Sequence, residues 1–91
     1  MANTSYNTVT VTATATQIIA GDSQRKGLII HNNSSATVYV GPDASITTAN
    51  AIPILANNTL IMSGFQEAYR GPLYGIVATG TADVRYFDWG Q

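Results

Sequence analysis

A chain of 91 residues is long enough for one domain with a single core and too short for two. Charged residues make up 10% of the sequence, against about 25% in ordinary soluble domains, and the formal net charge is -1, which excludes a basic stripe that could neutralise a run of phosphates. Cysteine is absent and the only histidine is His31, so the sequence excludes disulfides and zinc sites built from thiolates or histidines.

The small size predicts self-association. A domain of this length buries roughly 60 to 65% of the surface that its unfolded chain exposes, and small domains usually add disulfides, metals or oligomerisation to so small a core. Oligomerisation is what remains here. We expect no cofactor, no metal and no nucleic-acid partner. The first residues lack the features of a secretory signal and no apolar run reaches the ~18 residues of a membrane helix, so we also expect use without secretion and no membrane partner.

The first predicted element is a strand over residues 8–16, preceded by an amino-terminal arm over residues 1–7. Threonines alternate there with the apolar residues Val9, Val11, Ala13 and Ala15. A period of two places the threonines on one face and the apolar residues on the other, as in a half-buried strand. Residues 17–20 extend or turn this strand, and residues 21–27 form a polar connection with glycine at both ends.

The middle of the chain predicts a hairpin followed by a loop and an edge strand. Residues 28–31 are apolar, residues 32–35 are Asn and Ser that favour turns, and residues 36–41 form the return strand. Residues 42–50 begin with Pro-Asp and predict a loop. The next extended segment contains Pro53, which has no N–H for a central ladder, so we place it at a sheet edge or in a crossing segment.

The remaining pattern completes an all-β domain. Strands are predicted over residues 59–63, 73–78 and 82–87, with a loop over residues 64–72. Turn signals recur about every ten residues and helical periodicity is absent. We therefore predict that residues 8–91 form a single β-sandwich or jelly-roll-like barrel of about six to eight short antiparallel strands.

Three predicted strands are apolar on consecutive positions, which indicates that both of their faces are covered. They contain the segments Leu28-Ile29-Ile30, Leu60-Ile61-Met62 and Ile76-Val77-Ala78. A two-layer sandwich has one core and covers one face of each sheet. We expect an outer face to pack against another subunit or another protein; the alternative is that loops fold over these positions.

Residues suited to catalysis do not form a recognisable motif. His31 is near Ser34 and Ser35 in sequence, but without a third partner this is not a triad. The acidic residues are scattered, and we interpret them as solvated loop acids: Asp22, Asp43, Glu67, Asp83 and Asp88. Neither a GxGxxG nor a P-loop pattern occurs. The sequence therefore predicts a protein that is not an enzyme.

Aromatic and arginine residues in the second half of the chain form the candidate interface. They are Phe65, Tyr69, Arg70, Phe87 and Trp89. Aromatic and arginine side chains are enriched at interface centres, and aromatic side chains also stack on sugars. Each of these residues could instead lie in the core, but we do not expect all of them to be core residues, because they lie in loops and near the end of the last strand.

Four segments support a comparison with a known family: residues 25–41 (RKGLIIHNNSSATVYVG), 51–54 (AIPI), 69–78 (YRGPLYGIVA) and 80–85 (GTADVR). Over residues 8–89, the chain resembles the head decoration, or cement, proteins of tailed bacteriophages. The resemblance implies a β-sandwich, commonly a homotrimer, that binds the major capsid protein on the outer surface of the head after assembly in the host cytoplasm. It supplies no binding motif at the level of single residues.

Two functions follow as hypotheses. As a decoration protein, the chain would clamp the mature capsid, and its threonine-rich first strand would either lie along the capsid or pair with a neighbouring subunit's sheet. The alternative is a carbohydrate-binding module of a phage tail or fibre, in which Trp89, Tyr69 and Phe65 stack on sugar rings.

Overall fold

The structure is a computed structural model that describes residues 4–63 and 70–90. All regular secondary structure in these residues is β, so none of them belongs to a helix long and apolar enough to cross a membrane. The strands are β1 (Thr4–Thr12), β2 (Thr16–Ile19), β3 (Arg25–Asn32), β4 (Val38–Gly41), β5 (Ile52–Ile54), β6 (Thr59–Ser63), β7 (Leu73–Ile76) and β8 (Thr81–Gly90).

The strands form two four-stranded antiparallel sheets. Sheet A has the order β1-β8-β3-β6, and sheet B has the order β2-β7-β4-β5. The first four strands pair with the last four in reverse order: β1 with β8, β2 with β7, β3 with β6 and β4 with β5. A long antiparallel ribbon rolled up in this way is a jelly roll. The prediction of an all-β sandwich with jelly-roll character is confirmed.

The core lies between the inner faces of the two sheets. Its largest members are almost fully buried, and the cluster consists of Val11, Ile18, Ile19, Leu28, Ile30, Val38, Val40, Ile54, Leu73, Val77, Ala82 and Val84. These residues come from strands of both sheets, which is the alternation expected of a sandwich. Ile46, in the loop after β4, is also buried and packs against Gly41, where an added Cβ would lie 2.3 Å from its Cγ2 atom.

The predicted first strand is two strands in different sheets. β1 ends at Thr12 and β2 begins at Thr16. Between them the Thr14 N–H donates to Thr12 Oγ1 at 3.2 Å, and Thr16 Oγ1 donates to the Thr14 carbonyl at 2.9 Å. Because threonine side chains form hydrogen bonds with the backbone between the two strands, the chain can cross from sheet A to sheet B without leaving these groups unpaired. Residues 4–7, expected as an arm, pair with β8.

The hairpin predicted for residues 28–41 is wrong. β3 pairs with β6 and β8 in sheet A, whereas β4 pairs with β5 and β7 in sheet B. The connection crosses between the sheets around Asn32, which is fully buried. Its Nδ2 donates to the carbonyls of Ala36 and Ile54 at 2.7 and 2.9 Å, and its Oδ1 accepts from Ser34 Oγ at 2.6 Å. Asn-Ser-rich turns allow a hairpin or a crossing connection, and the buried amide stabilises the crossing.

One local prediction agrees with the structure, and residue type explains two of the turns. β5, which contains Pro53, is an edge strand of sheet B. The turns before β6 and β8 contain Asn57 and Gly80, whose φ angles are 61° and 72°. Asparagine and glycine are the residues that most readily adopt this left-handed conformation.

Candidate functional site

A row of apolar side chains crosses the outer face of sheet A, with one residue from each strand. Tyr6 of β1 is opposite Phe87 of β8, Phe87 is opposite Ile29 of β3, and Ile29 is opposite Ile61 of β6. We call these four residues the apolar row. Tyr6, Phe87 and Ile61 are 79%, 43% and 62% exposed. With strands spaced about 4.8 Å apart, the row spans about 14 Å across the sheet.

Trp89 extends the apolar row along β8. Its ring centroid lies 5.7 Å from that of Phe87, and the two ring planes are tilted by 37°. The indole lies directly over Gly27 on β3, because a Cβ added to that glycine would be 2.0 Å from the ring. Any side chain at position 27 would displace the indole. The glycine therefore lets a large flat ring lie close against the sheet.

The buried residue between Phe87 and Trp89 anchors this end of β8. Asp88 accepts a hydrogen bond at 3.2 Å from Nε of Arg25, and the two side chains are 8% and 0% exposed. Arg25 also donates to the carbonyls of Gly71 and Ala20 at 3.0 and 2.6 Å. Alternation along the strand turns the neighbours of Asp88 to the outer face. Asp88 is therefore not the solvated acid that the sequence suggested.

The other half of the same face is polar. In the next row, His31 lies opposite Arg85 and Thr59. His31 Nδ1 is 2.9 Å from Thr59 Oγ1. The sequence had placed Ser34 nearby, but its hydroxyl instead bonds to buried Asn32. The face thus changes from apolar to polar along the strands.

Asp83 and Arg85 form an exposed ion pair in this polar half. Arg85 donates to Asp83 Oδ2 at 3.1 Å, and Asn33 Nδ2 donates to the same oxygen at 3.1 Å. The hydrogen bond from Asn33, followed by that from Arg85, holds the pKa of the Asp83 carboxyl below its ordinary 3.8. Because the carboxylate already has these partners, we interpret the pair as a local structural feature of β8.

The remaining carboxylates of the described residues also have local partners. Asp22 Oδ1 accepts from the Gln24 N–H at 2.9 Å, and Asp43 Oδ1 accepts from the N–H and hydroxyl of Ser45. These bonds from Ser45 hold the pKa of Asp43 below 3.8. Within residues 4–63 and 70–90, no group of three or more histidine, aspartate or glutamate side chains could hold a metal ion.

A shallow cavity of about 300 Å³ lies beside β4 and β5. Asp43, Ile46 and Ile52 are among its lining residues. It is open to solvent, and the Asp43 carboxylate is already hydrogen bonded to Ser45. The apolar row, with Trp89, is therefore the stronger candidate for a binding surface.

The structure brings together two of the five residues predicted from the sequence, Phe87 and Trp89. Arg70 precedes β7 in the chain, and its Nε donates at 2.9 Å to the carbonyl of Arg25, the first residue of β3. Phe65 and Tyr69 lie outside the described residues.

Sequence reasoning missed Tyr6, which it placed in the arm. Tyr6 lies two residues before Thr8 and four before Thr10, so it points to the same outer face. Extending the predicted strand by two residues toward the amino terminus would have included it. Ile29 and Ile61 were identified only as members of segments that are apolar on both faces. The structure assigns both residues to the outer face, as that pattern predicted.

No protein-family model, no curated protein and no solved structure matches this chain.

Proposed function

We propose that this chain is a virion structural protein, not an enzyme, that binds the outer surface of a phage capsid as an oligomer and stabilises the mature head. The single observation behind this proposal is the apolar row, together with Trp89, on the outer face of sheet A. The largest contiguous apolar patch on a small soluble protein often marks a surface that binds a partner. The identity of the partner comes from the resemblance to head decoration proteins.

The size of the patch sets the affinity of one copy. Fully burying a large apolar side chain contributes about 1.5 to 3 kcal/mol. Tyr6, Phe87 and Ile61 are about half to four-fifths exposed, so covering them contributes on the order of 3 to 5 kcal/mol before the costs of association. Such a site alone binds with a Kd of about 1 mM or weaker.

A capsid lattice compensates for weak single contacts because it repeats the same site many times. When several copies are joined in one oligomer, each further contact becomes intramolecular and the overall affinity rises by orders of magnitude. A protein that binds only the mature lattice then stabilises that lattice by mass action. The sandwich supports this role because the apolar row lies on a hydrogen-bonded sheet, which is rigid before binding.

Capsid binding should depend little on salt. The chain has four basic and five acidic residues, and none of them belongs to the apolar row. Contacts between apolar surfaces are not weakened by ionic screening, whereas contacts between exposed charges are. A steep loss of binding between low and physiological salt would contradict a role for this surface.

The test is co-sedimentation with undecorated mature capsids. We expect the unaltered protein to sediment with capsids, and Phe87→Ser and Ile61→Thr to reduce the bound fraction at least tenfold. Ile52→Thr is the matched control, because Ile52 is 63% exposed but lies on sheet B, whereas Ile61 is 62% exposed. Failure of the unaltered protein to bind, or an equal loss in the Ile52 variant, would refute the proposal.

Carbohydrate binding is the second candidate, favoured by the neighbouring rings of Phe87 and Trp89 on an open sheet face. Gly27 covers one face of the indole, so a sugar would stack on the opposite face. A glycan array with the unaltered protein and Trp89→Ala separates the two functions. A specific glycan whose binding requires Trp89, together with no capsid binding, would favour this alternative.

A further inference from the structure

The four edge strands of the sandwich differ in how well they are protected from pairing. The edges are β1 and β6 in sheet A and β2 and β5 in sheet B. β5 has three residues and contains Pro53, β2 has four residues and an irregular register between Gln17 and Ile19, and β6 has five residues. Proline, irregular register and the very short length of β2 and β5 hinder edge-to-edge pairing, and β6 offers little more than half the length of β1.

β1 has none of these protections. It is nine residues long, it pairs with β8 in continuous register from Thr4 to Thr12, and its sequence TSYNTVTVT contains no charge, proline or glycine. Six of its residues are β-branched. Within residues 4–63 and 70–90, β8 is the strand that pairs with β1, and the opposite edge of β1 faces away from sheet A.

The hydrogen bonds of β1 identify the backbone groups at this outer edge. The Thr8 N–H bonds to Asn7 Oδ1 at 2.8 Å, and the Thr12 carbonyl accepts from the Val77 N–H at 3.1 Å, so neither group is used in the ladder with β8. Alternation along a strand then directs the N–H and C=O groups of Tyr6 and Thr10 to the same edge. The Asn7 bond is exposed and local, so a partner strand can replace it.

We infer that β1 pairs antiparallel with β1 of a second copy across a two-fold axis, which joins two A sheets into one of eight strands. Identical strands pair antiparallel around such an axis, and each copy then satisfies the other's edge. The backbone groups that point away from β8 belong to even-numbered residues. Even-numbered residues of one copy therefore pair with even-numbered residues of the other, and Thr8 and Thr10 lie next to the two-fold axis. Threonine pairs are favourable across strands, and β1 has no charges to repel each other.

This pairing has a consequence for the apolar row. Residues directly opposite in paired strands point to the same face. Even residues of β1 face outward in both copies, so the two apolar rows lie on the same side of the joined sheet. The dimer would present one continuous surface with two rows and two Trp89 side chains. The resemblance to decoration proteins implies a trimer instead, and the measured mass distinguishes the two assemblies.

The two-fold pairing does not depend on the proposed function. It is measured on the isolated protein, whereas the proposed function is measured by binding to capsids. Loss of capsid binding with an intact dimer would refute only the proposed function. Capsid binding by a protein with another assembly state would refute only this inference.

The first experiment is analytical ultracentrifugation across about 10 to 200 μM protein. We expect twice the chain mass of 9.6 kDa. Thr10→Pro removes an N–H that points away from β8, so it keeps the internal ladder and blocks the outer edge. The symmetric loss of one hydrogen bond per copy raises the dimer dissociation constant by about 30-fold. Thr10→Ala keeps the N–H and remains dimeric.

Each outcome of these measurements either supports or overturns the two-fold pairing. A single-chain mass over the whole concentration range, a mass of three chains, or a folded Thr10→Pro variant that stays dimeric would each overturn the inference. Circular dichroism checks the fold of the variant. If Thr10→Pro does not fold, Thr8→Lys decides, because it keeps the backbone N–H and places two ammonium groups near the axis at low salt. A dimer unaffected by Thr8→Lys overturns the inference, and a folded monomer supports it.

Discussion

The pair formed by Arg25 and Asp88 should be the most sensitive point of the fold. Replacing Arg25 with methionine keeps much of the apolar volume but removes the positive charge and the hydrogen bonds that the guanidinium donates to Asp88 and to the carbonyls of Gly71 and Ala20. The Asp88 side chain, which is 8% exposed, then remains buried without its arginine. Breaking a buried ion pair by removing one partner costs about 3 to 5 kcal/mol.

That cost is large for so small a domain. A 91-residue protein typically has a free energy of unfolding of about 5 to 14 kcal/mol. Each kcal/mol lowers the melting temperature of such a domain by roughly 4 to 8 °C. We therefore expect Arg25→Met to lower Tm by roughly 12 to 40 °C, or to leave the protein unfolded at physiological temperature.

The assay is thermal unfolding followed by circular dichroism and by the fluorescence of the single tryptophan, Trp89, which is next to Asp88 in the chain. The control is Arg85→Met. Arg85 also contacts an aspartate at 3.1 Å, but its side chain is 58% exposed, and exposed ion pairs contribute little to stability. We expect the control to melt within a few degrees of the unaltered protein. A cooperative transition for Arg25→Met within a few degrees of the unaltered protein, or an equal loss in both variants, would refute the reasoning.

Three further predictions concern other parts of the molecule. Asn32→Asp should destabilise the fold by about 3 to 5 kcal/mol in a denaturant titration, because it replaces an amide that donates three hydrogen bonds to carbonyls with a carboxylate at a fully buried position. Asn58→Asp, at an exposed position, should have little effect in the same titration. Gly27→Ala should displace the Trp89 indole and cost about 1 to 3 kcal/mol, and an unchanged emission spectrum would contradict the described contact. Because the pKa of Asp83 is lowered in the folded state, its contribution to stability is complete above the unfolded pKa of 3.8 and is lost as the pH falls through the folded pKa. Asp83→Asn should therefore show a smaller decrease in Tm over this acidic range than the unaltered protein, as measured by melting curves at several pH values.

Local sequence patterns determined the type of most elements. The alternation of threonine with valine in β1 requires an extended chain with one dry face, because successive side chains of a strand point to opposite sides. Pro53 placed its strand at an edge because proline cannot donate to a ladder. These features depend only on neighbouring residues, and together with the spacing of the turns they were sufficient to predict an all-β sandwich.

The composition of the candidate surface was predictable only in part. Ile29 and Ile61 were identified because their strands are apolar on consecutive positions, and Phe87 and Trp89 because they are aromatic. Their alignment was not predictable, since register depends on contacts between distant strands. The burial of Asp88 was missed for the same reason: its partner, Arg25, is remote in sequence.

The sequence by itself determined a single-core β domain with few charged residues and with more apolar surface than one core covers. Only the tertiary structure decided which strands pair and which apolar residues meet. The connection between β3 and β4 has the local signal of a hairpin, yet buried Asn32 directs it across to the other sheet. Tyr6 and Phe87 come from opposite ends of the chain and meet because β1 and β8 pair. The physical reason is that strand periodicity is set by the local backbone, whereas strand pairing is set by the packing of the whole core.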